Sequence, residues 1–178
     1  MTDSIKSKCI WLTGLPCSGK TTIANALQKK INNNGLISIV LDGDELRSTV
    51  NSDLKFDTDS RNEAMRRVAH LAQLLCNQRI IAIVSVISPL FKHREYAKKL
   101  LTKNNSFYEI YLSTDLECCE KRDVKGMYKK ARNNVIKDFT GIGSKFEKPR
   151  EPFLSLDTKE IDLKESVNII MEKIFINE

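Results

Sequence analysis

The chain has 178 residues, 41% of them hydrophobic and 29% charged, with a formal net charge of +6; this is the length of one domain, 1–178, with a real core and an ordinary globular composition. No apolar run could span a bilayer as a helix, and the polar start from Met1 to Lys8 lacks the apolar stretch of a secretory signal, so no membrane contact and a cytoplasmic location are expected. The five cysteines form no C-x-x-C pair and lie far from His70 and His93, which leaves reduced thiols rather than a metal site, and the scattered basic residues suit small anionic ligands better than a nucleic-acid polymer.

Cys9 to Thr13 reads as a short buried strand ending at Gly14. Ile23, Ala24, Leu27 and Ile31 recur at helical spacing, which predicts a helix over Thr21–Ile31, stopped by the run from Asn32 to Gly35. Leu36–Leu41 is a second strand, followed by the acidic turn Asp42-Gly43-Asp44. Met65, Val68, Ala69, Ala72, Leu75 and Cys76 predict a helix over Asn62–Gln78. Ile80–Ile87 is almost wholly apolar, as a strand covered on both faces would be. A short helix over His93–Leu101, a strand over Phe107–Leu112 and a helix over Leu116–Arg122 capped by Thr114 come next. From Asp123 to about Pro152 periodicity fails and basic residues accumulate, which predicts a mobile basic segment. A weak fifth strand, Phe153–Leu156, and a closing helix, Leu163–Ile174, complete an α/β fold: a five-stranded parallel sheet with helices on both faces.

The run Gly14-Leu15-Pro16-Cys17-Ser18-Gly19-Lys20-Thr21 fits G-x-x-x-x-G-K-[ST] at every fixed position, between a predicted strand and a predicted helix. This is a P-loop. Its backbone N–H groups, with Thr22 in the first helical turn, would curl around the phosphates of ATP at a helix N-terminus. Lys20 would reach the β- and γ-phosphates and the Thr21 hydroxyl would ligate Mg²⁺. The absence of an N-K-x-D sequence and the short chain argue against a GTPase and a motor, leaving a kinase for a small molecule. Asp42 and Asp44 follow the second strand and therefore emerge at the edge of the sheet that carries the P-loop. One carboxylate near Mg²⁺ and one near an acceptor hydroxyl is what phosphoryl transfer needs, although a plain acidic turn has the same composition.

Further along, the stretches Leu41–Arg47, Asp53–Phe56, Ile87–Pro89, Arg122–Gly126, Tyr128–Arg132, Phe139–Ile142 and Phe146–Pro149 resemble, in order and spacing, the adenylylsulfate kinase family over roughly residues 9 to 158. That resemblance implies phosphorylation of the ribose 3′-hydroxyl of adenosine 5′-phosphosulfate. It places Asp44 by the acceptor hydroxyl, Asp42 with Thr21 at Mg²⁺, and Arg47 and Arg61 on the phosphosulfate. Ile87 and Ser88 would line the same pocket, Lys125 would reach it from the lid, and Phe56 and Phe139 would sandwich the base. By residue type alone, Phe56 and Phe139 read as core. The resemblance makes Lys20, Asp44 and Ser88 catalytic, Ser88 as a phosphoserine carrier that direct in-line transfer does not require. A small nucleotide substrate is the implied partner, and a homodimer is compatible with it.

The departures from the family pattern cluster on the acceptor side: Ala64 where an asparagine is usual, Lys55 for a glycine, and Ser48-Thr49 for a His-Gly or Gln-Gly pair. They keep a second acceptor in view, a cytidine diphosphate conjugate such as the cytidine diphosphoramidate used in capsule polysaccharide synthesis. A non-catalytic nucleotide sensor would be expected to carry damage at Lys20, Thr21 or Asp44, and all three are intact.

Overall fold

The structure, a computed structural model, describes residues 7–176. Its elements run β1 (Lys8–Gly14), α1 (Lys20–Asn33), β2 (Ser38–Asp42), α2 (Gly43–Ser48), α3 (Thr58–Asn77), β3 (Ile81–Ser85), α4 (Phe91–Leu101), β4 (Ser106–Leu112), α5 (Leu116–Arg122), α6 (Met127–Arg132), β5 (Leu154–Leu156) and α7 (Leu163–Met171). All strand pairings are parallel, in the order β2-β3-β1-β4-β5. The expected five-stranded parallel sheet with helices on both faces is therefore the fold. Parallel neighbours force each connection to cross a face of the sheet, and this is why helices cover both.

Alternation along the central strand builds two cores. Ile10 and Leu12 of β1 point toward α1 and α7, where they meet Ile23, Leu27, Val167 and Ile170. Cys9 and Trp11 point the other way, toward Val68, Ala72, Ala97 and Leu101 of α3 and α4. Among the described residues, no helix is long and apolar enough to cross a membrane.

Four aspartates start helices by accepting a backbone N–H: Asp42, Asp57, Asp115 and Asp162. Several boundaries differ from expectation for this reason. The acidic turn after β2 is the cap and first turn of α2. Helix α3 begins at Thr58, four residues early, because Asp57 caps it. Asp115, rather than Thr114, caps α5 by accepting from the Cys118 N–H at 2.7 Å. Thr114 instead bonds Thr158. The basic segment after Asp123, expected to lack regular structure, contains a helix, α6, and the closing helix gives way after Met171 to a π-helical turn, Glu172–Ile176. Strand β3 ends at Ser85 rather than Ile87.

The chain leaves β1 at Gly14 with φ +153°, and a Cβ there would lie 2.8 Å from the Leu112 carbonyl oxygen of the neighbouring strand. Backbone cannot yield as a side chain can. Gly14→Ala should destabilise the fold by about 1–3 kcal/mol, roughly 2–4 °C of Tm for each kcal/mol at this chain length. Thermal unfolding checks this, and an unchanged Tm would show that β1 and β4 are free to part at that point.

Candidate active site

The site lies where β1, β2 and β3 end side by side. Register pairs Asp42 with Ser85, the last residues of β2 and β3, and sets Ser85 beside Leu12 of β1, two residues before that strand ends, so the carboxyl ends of three strands lie together. In open parallel sheets ligands bind outside the carboxyl ends of the strands.

The P-loop wraps the start of α1. Gly19 holds φ +95°, a conformation that favours glycine, and its carbonyl accepts the Ile23 N–H at 3.0 Å. Cys17 is also left-handed, with φ +61°. Lys20 is buried and folds back on the loop, donating to the Gly14 carbonyl at 3.0 Å and the Leu15 carbonyl at 2.7 Å. Burial lowers its ammonium to about 8.

Around the loop stand residues that the sequence reading did not single out. The Tyr128 hydroxyl donates to the Pro16 carbonyl at 3.0 Å. Thr158 donates to the Ser18 carbonyl at 3.0 Å. The Arg122 guanidinium grips Thr158 through both its hydroxyl and its carbonyl, each at 2.8 Å, and reaches the Cys17 carbonyl at 3.3 Å. The outer wall of the cradle is thus held from α5, α6 and the segment after β5. Thr158 follows the weak fifth strand, and a polar residue at the carboxyl end of a parallel strand is the signal that could have marked it.

Asp42 divides its carboxylate. Oδ2 accepts from the Thr21 hydroxyl at 2.7 Å and from the Ser85 hydroxyl at 3.1 Å, while Oδ1 accepts the Asp44 N–H at 2.9 Å. Three hard oxygen donors therefore converge beside the P-loop, the donor set that Mg²⁺ accepts alongside nucleotide phosphates. Asp44 sits in the exposed first turn of α2, and Lys125, in the turn between α5 and α6, pairs with it at 2.5 Å. That pairing raises the Lys125 ammonium.

The other expected substrate residues gather on the α2–α3 side. Arg47 lies 4.5 Å from the Phe56 ring centroid and donates to the Lys55 carbonyl at 2.9 Å. Phe56 is exposed, and so is not core. Arg61 reaches across to the Asp138 carbonyl, next to Phe139, whose ring meets Tyr128 edge-on at 4.9 Å. Phe56 lies between α2 and α3 and Phe139 after α6, and among the described residues no direct ring contact joins the two. A cleft of about 200 Å³ opens between Thr58 and Arg61 on one side, Pro89 and Leu90 on another, and Ser144 and Lys145 on the third. Ala64 is buried on the inner face of α3.

Ser88 stands apart. Its side chain is 1% exposed, its φ is +38°, and both roles of its hydroxyl are filled: it accepts from Trp11 Nε1 at 3.1 Å and donates to Thr13 Oγ1 at 2.8 Å. Thr13 passes the chain on to the Ile87 carbonyl at 2.8 Å.

A parallel sheet in this order, with a lysine-bearing glycine loop and two carboxylates at its carboxyl edge, defines a P-loop phosphotransferase. Residues 6–157 match the family model of adenylylsulphate kinase. The adenylyl-sulfate kinase of Phocaeicola vulgatus is 48% identical over 163 residues, spanning 92% of this chain and 79% of that protein. That of Clostridium acetobutylicum is 46% identical over 167 residues, spanning 94% and 82%. The solved structure of the Mycobacterium tuberculosis APS kinase CysC in complex with AMPPNP and APS superposes with a TM-score of 0.92 at 37% identity, covering 96% of this chain and 98% of that one. The chain belongs to the adenylylsulphate kinase family.

The depressed Lys20 ammonium has a consequence for binding. At about pH 8 the empty site is half deprotonated there, and the phosphates of ATP favour the charged form, so binding takes up a proton. Affinity for ATP should weaken as pH rises through that value, by at most about tenfold per pH unit, and Lys20→Met should abolish the uptake. Calorimetry at pH 8 in two buffers of different ionisation heat measures it; no uptake would mean Lys20 is fully charged in the empty site.

Proposed function

We propose that the chain transfers the γ-phosphoryl group of ATP to the ribose 3′-hydroxyl of adenosine 5′-phosphosulfate. The observation that carries this reading is the intact Lys20–Thr21–Asp42–Asp44 set in a chain 48% identical to an adenylyl-sulfate kinase. The adenine conjugate is preferred to a cytidine conjugate because the relatives of highest identity named above are adenylyl-sulfate kinases and the superposed structure was solved with APS.

Mg²⁺ would be held at Thr21 and Asp42, with Ser85 steadying the carboxylate, and when bound it neutralises phosphate charge. The chain's own residues do the rest. The P-loop N–H groups and Lys20 hold the phosphates and stabilise the charge that spreads over the transferred group. Asp44, exposed on α2, accepts the proton of the 3′-hydroxyl as that oxygen bonds to phosphorus and the bond to the ADP oxygen breaks. Lys125, paired with Asp44, moves its charge onto the incoming anion. Arg47 and Arg61 supply planar forks for the phosphosulfate oxygens. Phe56 and Phe139 come from opposite sides to stack on the base. Ile87 lines the pocket, and the Ser88 hydroxyl serves as a brace between Trp11 and Thr13 rather than as a phosphoryl carrier.

A panel of candidate acceptors incubated with ATP, read by mass spectrometry, tests the acceptor. The 3′-phosphorylated adenosine conjugate is expected, and a product from the cytidine conjugate alone would overturn the assignment. Asp44→Asn should lower kcat by a factor on the order of 10² to 10⁴ with ATP affinity unchanged; near-normal turnover would remove Asp44 from the chemistry. Ser88→Ala should retain measurable turnover while losing about 1–3 kcal/mol of stability, because Trp11 Nε1 loses its buried acceptor. A kinetically competent phosphoserine in the parent, together with an inert variant, would reverse the role given to Ser88.

A further inference from the structure

Arg94 lies on α4, outside every motif that carries the phosphoryl chemistry, and its side chain is 2% exposed. A guanidinium buried to that degree must have its donors satisfied. Three different segments answer it, one by an ion pair and two by hydrogen bonds. Nε pairs with Glu109 of β4 at 2.8 Å, one terminal nitrogen donates to the Ser88 carbonyl at 2.7 Å, and the other donates to the Glu147 carbonyl at 2.7 Å. Glu147 is doubly fastened to the same loop: its N–H donates to the Pro89 carbonyl at 2.8 Å, and its carboxylate accepts the Phe91 N–H at 2.7 Å.

These bonds join the two walls of the cleft that contains Arg61. One wall is the turn after β3, where Ser88 is held at φ +38°. The other is the returning end of the lid. We infer that Arg94 is a positioning residue for the acceptor half of the site: its fork locks the Ser88 turn and the closing end of the lid into one rigid unit at the separation the acceptor requires. The ATP half is fastened independently, by Tyr128, Thr158 and Arg122 on the P-loop, so loss of the fork should be felt by one substrate only. This inference rests on the acceptor reading above. Turnover by the parent enzyme tests that reading separately, and the variants are assayed with whichever acceptor the parent uses.

Arg94→Lys keeps the positive charge beside Glu109 but cannot bridge two carbonyls in divergent directions. The acceptor KM should rise roughly tenfold or more, the size of effect that a small misplacement of a substrate wall produces, while the KM for ATP stays within about twofold. Glu109→Gln removes the ion pair at Nε and leaves the two carbonyl bonds in place. It should lower Tm yet leave both KM values within about twofold of the parent. Equal changes in both KM values for Arg94→Lys, or a lowered Tm with neither KM moved, would reduce Arg94 to a structural residue and overturn the inference. Should Arg94→Lys fail to fold, Glu147→Ala loosens the lid end while sparing the fork. A selective rise in acceptor KM would then support the inference, and no rise would overturn it.

Discussion

A carboxylate has two oxygens, and in this chain those of Asp42 are used by three parts of the fold. Oδ1 starts helix α2, which fixes the direction in which Asp44 leaves the sheet. Oδ2 receives the hydroxyls of Thr21 and Ser85 and so ties the first turn of α1 to the end of β3. The geometry is available only because β2 and β3 are parallel neighbours in register, with Asp42 opposite Ser85. A one-residue slip would turn Asp42 to the other face of the sheet. The capping of a short helix and the assembly of a phosphoryl-transfer site are therefore a single constraint, and the packing on both faces that sets the sheet register also sets the chemistry.

The parts of the site legible in the sequence are those whose function demands local backbone. Gly14, Gly19 and Lys20 belong to one loop, so their spacing along the chain is nearly their spacing in space. The strands were legible because a sheet buried on both faces leaves little besides apolar residues in them. Helix α2 was obscured because six residues carry little periodicity and because Asp-Gly-Asp has the composition of a turn. The cap of α5 went to Asp115 because its neighbour Thr114 was committed to Thr158, a partner 44 residues away.

Arg94 and Glu147 show the other limit. Arg94 sits in a helix rich in charge, where one more basic residue reads as solvated surface, and its carbonyl partners have no side-chain identity to be read. Glu109 was the available signal: a carboxylate in the middle of an otherwise aromatic and aliphatic strand, where burial pushes its carboxyl up and the Arg94 guanidinium opposes that. A buried acid predicts a buried base, but not which of the many basic residues answers it. The acceptor side thus depended on contacts between distant segments, and the phosphate side on contacts within one loop.

The ion pair between Lys125 and Asp44 joins residues 81 positions apart, yet both side chains are largely exposed. Coulomb attraction between such groups is weakened by high-dielectric solvent and fades over a Debye length of about 8 Å at physiological ionic strength. The contact between Lys125 and Asp44 is therefore tightest in dilute buffer and weakens as salt is added. Ionic strength thus tunes how firmly the turn between α5 and α6 is held against the first turn of α2.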